Sequence, residues 1–217
     1  MIEIKCYPVG ELQANCYYIF DTDQEISFVV DPGDYSSELE EQIIKDGTEK
    51  VMYILLTHGH FDHIGYTSTL HKLCPSAKIV IGKGDSGFTS NDILNLSSYF
   101  SGEGVEHFKA DVEASDNDSL SFGQKAITVL NTPGHTTGGV CYILEDIIFT
   151  GDTIISGTTG RTDFPTGSNK EMLASVNRIR NLEGDYRMFC GHGESTTLEY
   201  ERKHNYIMRD SVYEDIY

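Results

Sequence analysis

The chain carries the run Thr57-His58-Gly59-His60-Phe61-Asp62-His63. It follows Val51–Leu56, an almost wholly apolar stretch that predicts a strand buried on both faces. Imidazole and carboxylate groups are ligands of zinc and iron, at metal–ligand distances of about 2.0–2.2 Å. Gly59 lets a tight loop bend without a Cβ clash. Such a loop can present His58 and His60 to one metal while Asp62 and His63 turn to a second.

The same local pattern recurs further along the chain. An apolar strand ends, a glycine or proline turns the chain, and a metal-type side chain follows at His135, Asp152 and His192. Alone, Asp152 in Gly-Asp-Thr is equally typical of a turn or a helix N-cap. In α/β sheets, however, binding groups gather at the carboxyl ends of strands. Together with the first cluster, these strand ends predict one shared metal site.

Short strands and helices alternate along the sequence. Strands are predicted over Ile2–Tyr7, Cys16–Phe20, Ile26–Val30, Val51–Leu56, Lys125–Leu130, Val140–Leu144, Ile147–Thr150 and Arg187–Cys190. Helices are predicted over Ser36–Asp46, Lys170–Asn181 and Thr197–Asp210. The polar, turn-rich segment 84–118 is interpreted either as a lid or entrance to a site or as a surface excursion. No repeat or flexible linker interrupts the 217 residues, so one domain is expected over 1–217.

Composition excludes several classes of partner. The chain has 34 acidic and 16 basic residues, a formal net charge of −18, and such a field repels nucleic acid. We find no signal-peptide pattern, and no apolar run approaches the roughly 20 residues that span a bilayer. The five cysteines are scattered and form no Cys-x-x-Cys pair, which is typical of free thiols in a reducing compartment. We therefore expect a cytoplasmic protein with no nucleic-acid or membrane partner.

The run Thr57–His63 resembles the Thr-His-x-His-x-Asp-His signature of the metallo-β-lactamase superfamily. Later elements follow in the matching order: Pro133-Gly134-His135, Gly151-Asp152-Thr153 and Cys190-Gly191-His192. The resemblance covers nearly the whole chain. It implies an α/β fold of the metallo-β-lactamase type, a four-layer αβ/βα sandwich with metals in a groove at the sheet edges.

Within the superfamily, the chain most resembles short hydroxyacylglutathione hydrolase (glyoxalase II)-like proteins. Asp152 separates it from the zinc β-lactamases that use cysteine at the bridging position. By this resemblance the first metal would be bound by His58, His60 and His135. The second metal would be bound by Asp62, His63 and His192. Asp152 would bridge both, together with a water or hydroxide.

This resemblance implies two divalent cations, with zinc expected and with iron or manganese as alternatives, because imidazole and carboxylate ligands suit all three. Two cations about 3.5–4 Å apart lower the pKa of a shared water enough to supply hydroxide at neutral pH. The hydroxide would attack a carbonyl whose oxyanion a metal stabilises. We expect a thioesterase acting on a small-molecule acyl-thiol. Asp62 is the candidate catalytic residue, as acceptor or carrier of the hydroxide proton.

The loop Gly160-Arg161-Thr162-Asp163-Phe164 determines the hypotheses about substrate. It lies where glyoxalase II enzymes have a Gly-Lys-Phe-Tyr-Glu-Gly-type segment, so Arg161 is a candidate substrate-binding residue in place of the lysine. Alternatively, Arg161 pairs with Asp163. No counterpart of the basic helical domain that holds glutathione in full-length glyoxalase II is expected.

Two other functions stay open. The loop around Arg161 also looks like that of persulfide dioxygenases, which share the fold and use one iron held by two histidines and an aspartate. Gly191-His192 is more similar to the hydrolases than to the Ala-His typical of the dioxygenases. A non-catalytic or di-iron redox protein is the third hypothesis.

Overall fold

In the computed structural model, which describes residues 1–100, 102 and 104–209, the described residues from 2 to 114 form a six-stranded mixed sheet. Its strands lie in sequence order: β1 (Ile2–Val9), β2 (Ala14–Asp21), β3 (Ile26–Val30), β4 (Val51–Leu56), β5 (Lys78–Gly82) and β6 (Val112–Ala114). The pairs β1–β2 and β2–β3 are antiparallel, and β3 to β6 are parallel. Strands β3 and β4 therefore end at the same edge.

The described residues from 119 to 197 form a second six-stranded sheet, in the order β12-β11-β10-β9-β8-β7. Its strands are β7 (Ser119–Phe122), β8 (Lys125–Asn131), β9 (Val140–Leu144), β10 (Ile147–Gly151), β11 (Arg187–Cys190) and β12 (Thr196–Thr197). Because β9 is antiparallel to both β8 and β10 while β10 and β11 are parallel, β8, β10 and β11 run in one direction. Their carboxyl ends consequently meet at one edge.

Six α-helices accompany the sheets in the described part of the chain. They are α1 (Ser37–Asp46), α2 (Phe61–Ile64), α3 (Thr67–Leu73), α4 (Ser97–Phe100), α5 (Asn169–Arg180) and α6 (Leu198–His204). Apolar residues of α1 and α3 pack on the first sheet, and those of α5 and α6 pack on the second. No helix among the described residues is long and apolar enough to cross a bilayer.

Alternation along the strands explains the layers, since successive strand side chains point to opposite faces. In β2, Tyr17 and Ile19 belong to the core between the two sheets, whereas Cys16 and Tyr18 belong to the core under α1 and α3. The sheets also meet through Phe28, whose ring centroid lies 5.0 Å from that of Phe122 in an edge-to-face contact. The order helix, sheet, sheet, helix confirms the predicted αβ/βα sandwich.

The predicted element boundaries largely agree with the structure. Four of the strands, β3, β4, β9 and β11, have the predicted bounds. The helix predicted over Ser36–Asp46 begins one residue later because Ser36 is its N-cap, accepting a hydrogen bond from the Leu39 amide. The strands β5, β6, β7 and β12 were not predicted. The segment 84–118 contains α4 and β6 and much of a 3-10 helical stretch over Lys83–Ser90.

The predicted length of the last helix was wrong. It was expected over Thr197–Asp210, but α6 ends at His204, and Asp210 lies outside the described residues. The backbone of Asn205 is extended, and its side-chain amide donates to the Thr158 carbonyl at 3.0 Å and to Glu201 Oε2 at 2.8 Å. These tertiary hydrogen bonds end the helix.

Candidate metal centre

Both sheets deliver metal-type side chains to one place. His58 and His60 follow β4, and α2, which begins immediately after His60, carries Asp62 and His63. His135, Asp152 and His192 follow β8, β10 and β11. The structure thus brings together all seven residues for which the sequence predicted metal ligation.

His58, His60 and His135 form the first group. One potential ligand atom from each lies within 4.8 Å of the others, and His60 Nδ1 lies 2.9 Å from His135 Nε2. All three side chains are buried, and His58 Nε2 has no hydrogen-bond partner. Burial holds the pKa of His58 well below its usual range and lowers that of His60 to about 3. Both imidazoles are therefore neutral at pH 7, the form in which histidine binds a metal.

Asp62, His63 and His192 form the second group. His192 Nε2 lies 3.3 Å from Asp62 Oδ2 and 3.3 Å from His63 Nε2, and the latter nitrogen lies 3.7 Å from Asp62 Oδ2. Two ring nitrogens and a carboxylate oxygen consequently converge on one point. Burial disfavours the charged form of His63, but the Asp62 and Asp31 carboxylates outweigh it and raise the pKa of His63 to about 10.

Asp152 lies between the two groups. Its Oδ2 is 3.5 Å from His135 Nε2 in the first group and 3.7 Å from His192 Nε2 in the second. Its Oδ1 is 3.6 Å from His63 Nε2 and is a buried atom without a hydrogen-bond partner. This placement suits a carboxylate that bridges two cations. The donor set therefore fits two divalent metal ions, and its imidazole and carboxylate chemistry suits zinc, iron and manganese alike.

Asp31 supports both groups and was not predicted as a functional residue. It follows β3, and its carboxylate accepts hydrogen bonds from His63 Nδ1 at 2.9 Å and from the Thr57 hydroxyl at 2.6 Å. Because that hydroxyl donates to Asp31, it can accept from His58 Nδ1, which lies 3.1 Å away. Both rings are thereby oriented with Nε2 towards the cluster, and each can bind a metal through Nε2 once that nitrogen carries no proton. Its position at a strand end before a Pro-Gly turn was an available signal.

Asp85 joins two loops of the centre. Its buried carboxylate accepts from the Gly59 amide at 2.9 Å, the Gly138 amide at 2.6 Å and the Thr136 hydroxyl at 2.6 Å. Burial raises its pKa above the usual range. The loop between His58 and His60 is thus tied to the loop that carries His135. No local sequence pattern marks Asp85, which lies in the polar segment 84–118.

Two glycines allow close approaches in the centre. A Cβ at Gly59 would lie 2.4 Å from the Cβ of Phe88, and one at Gly191 would lie 2.3 Å from Asp152 Oδ1 and 2.8 Å from His63 Cε1. Gly59 is needed because any side chain at this position would collide with Phe88. At Gly191 the missing side chain lets β11 and the His192 turn approach the bridging carboxylate.

A groove of about 440 Å³, which we call the metal-side groove, opens over the centre. Its wall combines ligand side chains with Leu12, Phe61, Phe100 and Phe164. The ring centroids of Phe61 and Phe100 are 6.0 Å apart and nearly parallel. A groove of this volume, apolar apart from convergent polar groups, suits a small organic substrate.

Arg161 lies on the wall of the metal-side groove. Its guanidinium donates two hydrogen bonds to Asp163, at 2.6 and 2.7 Å, and lies 4.0 Å from the ring centroid of Phe164. The Arg161 carbonyl accepts a 2.7 Å hydrogen bond from His135 Nδ1, which leaves His135 Nε2 facing the cluster. The pairing with Asp163 is therefore present, and substrate binding by the Arg161 side chain stays a prediction.

The chain belongs to the metallo-beta-lactamase superfamily, whose family model matches residues 9–192. Among its relatives, the probable metallo-hydrolase YqgX of Bacillus subtilis is 31% identical over 91% of this chain and 93% of that protein. The hydroxyacylglutathione hydrolase GloC of Haemophilus influenzae is 29% identical over 94% of this chain and 97% of that protein. Membership places the chain among generally hydrolytic metalloenzymes.

Solved structures show the same fold. The BLEG-1 B3 metallo-beta-lactamase superposes with a TM-score of 0.84 at 31% identity, covering 95% of this chain and 99% of that one. TTHA1623, solved in a di-iron-bound form, superposes with a TM-score of 0.79 at 28% identity, covering 93% and 98%. The second comparison shows that two metal ions are found in a protein of this architecture.

Proposed function

We propose that the protein is a two-metal hydrolase of small-molecule thioesters, of the hydroxyacylglutathione hydrolase type. The observation that carries the proposal is the pair of ligand groups joined by Asp152. Two groups of three ligands with a carboxylate between them suit a pair of metals that share one water. The similarity to GloC over nearly the full length of both chains supports a thioester as the substrate.

In this proposal His58, His60 and His135 hold one divalent cation, and Asp62, His63 and His192 hold the other. When bound, such a pair lowers the pKa of a shared water and polarises the substrate carbonyl. Asp152, which lies between the two groups, would be the ligand common to both ions.

Asp62 is the proposed proton acceptor. Burial opposes its charge, but His63 and His192 hold the pKa of Asp62 well below its usual range, so it is a carboxylate at neutral pH. It borders the metal-side groove, where the reacting water and carbonyl would meet. A thiolate is a good leaving group, so the departing side needs little help from a general acid.

The proposal is tested by metal reconstitution and thiol release. The chelated protein is loaded with zinc, manganese or iron, the bound metal is counted by mass spectrometry, and hydrolysis of an S-lactoyl thioester is followed. We expect about two metals per chain, and a loss of about a hundredfold or more in kcat/KM for His60→Ala and Asp62→Ala. His204→Ala, an exposed histidine outside the cluster, is the matched control. Full hydrolysis by the metal-free protein would refute the proposal.

The second ligand group favours this proposal over the one-iron persulfide dioxygenase hypothesis. A site of two histidines and an aspartate needs neither Asp62 nor His192. In the structure their side chains nevertheless converge with His63, as the distances above show. Oxygen uptake with glutathione persulfide, measured beside thiol release, distinguishes the two functions.

Hydrolysis of β-lactams is a second candidate, favoured by the similarity to BLEG-1 over 95% of this chain. An amide nitrogen is a poorer leaving group than a thiolate, and the groove offers no lysine or arginine besides Arg161 among its described lining residues. We therefore expect thioesters to be the better substrates. Hydrolysis of a chromogenic cephalosporin and of the thioester is compared at the same metal loading, which gives the ratio of the two activities.

A further inference from the structure

A second groove of about 440 Å³, which we call the lateral groove, adjoins the metal-side groove. The two share four lining residues: Leu12, Phe61, Asp62 and Phe100. A substrate whose carbonyl reaches the metal centre can therefore extend past Phe61 into the lateral groove. A thioester has two arms, an acyl group and a thiol carrier, and the two adjoining grooves provide one space for each.

The lateral groove has acidic walls. Glu11, in the turn between β1 and β2, and Asp34, after the Pro-Gly turn that follows β3, line it. Asp62 lies where the two grooves meet, and in the proposed function the metal that it holds would offset its charge. Neither Glu11 nor Asp34 forms an ion pair within the described part of the chain. Asp34 Oδ1 accepts from the Tyr35 amide at 2.7 Å, which leaves Oδ2 available to the groove.

No lysine or arginine among the described residues that line the lateral groove balances Glu11 and Asp34. Among the described residues that line either groove, Arg161 is the one lysine or arginine, and its guanidinium is held by both oxygens of Asp163. The chain as a whole has a formal net charge of −18. An anionic ligand in the lateral groove would thus meet like charges both locally and at long range.

We propose, on the basis of the hydrolase function above, that the thiol carrier of the substrate is uncharged or cationic. The structure favours such carriers because the lateral groove attracts a cation and repels a carboxylate or phosphate. Like charges about 6 Å apart near a protein surface disfavour binding by roughly tenfold or more. The inference narrows the proposed function: the thioesterase chemistry would be of the hydroxyacylglutathione hydrolase type, but glutathione, with two carboxylates and one ammonium, and phosphate-bearing thiols would be poorer carriers than neutral thiols.

Three thioesters with one lactoyl group and matched carriers test the inference on the metal-loaded protein. The carriers are thiocholine, N-acetylcysteamine and 3-mercaptopropionate, which are cationic, neutral and anionic. Each kcat/KM is divided by the rate of hydroxide-catalysed hydrolysis of the same compound, which removes differences between the leaving groups. At low ionic strength we expect the anionic ester to be about tenfold poorer than the neutral one, and added salt to narrow the gap.

Paired variants locate the effect. In Glu11→Gln/Asp34→Asn, the anionic-to-neutral ratio of kcat/KM should rise severalfold. The matched control is Glu41→Gln/Glu113→Gln, which removes two charges from exposed positions that line neither groove. In the control the ratio should stay within twofold of the unmodified protein.

The outcomes separate this inference from the function on which it rests. Hydrolysis of all three esters at equal corrected rates would leave the thioesterase function standing and overturn the charge preference. A preference that is insensitive to salt and to the Glu11/Asp34 substitutions would also overturn it. Hydrolysis of none of the three would refute both the preference and the thioesterase function.

Discussion

Replacing Asp31 by asparagine tests how the metal-binding histidines are oriented. Asp31 is buried, and its positive φ of 51° is one that asparagine adopts readily, so the backbone should be unaffected. The amide oxygen can still accept from the Thr57 amide, as Asp31 Oδ1 does at 2.7 Å. The amide nitrogen, however, would replace Oδ2, the acceptor for both His63 Nδ1 and the Thr57 hydroxyl. A donor at that position cannot accept the His63 Nδ1 proton.

The expected magnitude follows from that lost hydrogen bond. A hydrogen bond to a charged group contributes about 1.5–3 kcal/mol, which corresponds to roughly 10–100-fold in an equilibrium constant. Loss of a carboxylate that orients a metal-bound histidine costs a similar factor in metal affinity. We therefore expect Asp31→Asn to lower the metal affinity of the site formed by Asp62, His63 and His192 by roughly 10–100-fold.

The assay is competition with a chromophoric chelator, which measures separately the affinities of the more tightly and the less tightly bound metal ion. Asp21→Asn is the control, because Asp21 is an equally buried aspartate of the same sheet that pairs with Ile26, at the opposite end of β3 from Asp31. It should leave both affinities unchanged. If folded Asp31→Asn binds its weaker metal as tightly as the unmodified protein does, the proposed orientation of His63 is refuted.

Three further predictions follow from the same geometry. Gly191→Ala should lose at least one metal equivalent, because the new Cβ would lie 2.3 Å from Asp152 Oδ1; retention of two metals by mass spectrometry would contradict this. Metal binding should release about one proton near pH 7 and tighten as the pH rises towards 10, because the pKa of His63 is raised to about 10 without metal and the ligand form is neutral. Calorimetry in two buffers of different ionisation enthalpy measures the release, and equal heats in both would exclude it. The third prediction concerns acid stability. Although burial opposes it, hydrogen bonds from Gln24 and Lys125 hold the pKa of Asp21 below its usual range, so Asp21 contributes stability that is lost as the pH falls below about 4. Asp21→Asn should cost about 1–3 kcal/mol at pH 7 and less at pH 3, as measured by urea unfolding; an equal cost at both pH values would contradict the assignment.

The sequence predicted those parts of the molecule that depend on local pattern. Val51–Leu56 is a strand with the predicted bounds because a strand buried on both faces is uniformly apolar. The convergence of His135, Asp152 and His192 was also predictable, since they follow strands that end at a common edge of one sheet. That His58 joins them depends on the packing of the two sheets. Strand β5 was not predicted, as it is short and follows a polar turn.

The unpredicted parts depend on contacts between residues far apart in the chain. Asp85 functions through amides and a hydroxyl 26 to 53 positions away, and neither its neighbours nor its spacing indicates this. The end of α6 is likewise set by the hydrogen bond from Asn205 to Thr158, 47 residues earlier. Such contacts exist only once the two sheets have packed together.

The hydrogen bonds of Asp31 also imply that the two metal sites are coupled. One carboxylate orients His63 directly, and it orients His58 through the Thr57 hydroxyl. His63 belongs to the second ligand group and His58 to the first. In Asp31→Asn, the Thr57 hydroxyl can still find an acceptor or donor partner by rotating, whereas the Nδ1 position of His63 is fixed by its ring. The loss of affinity should therefore be larger at the second site than at the first, an asymmetry that a general loss of folding stability would not produce.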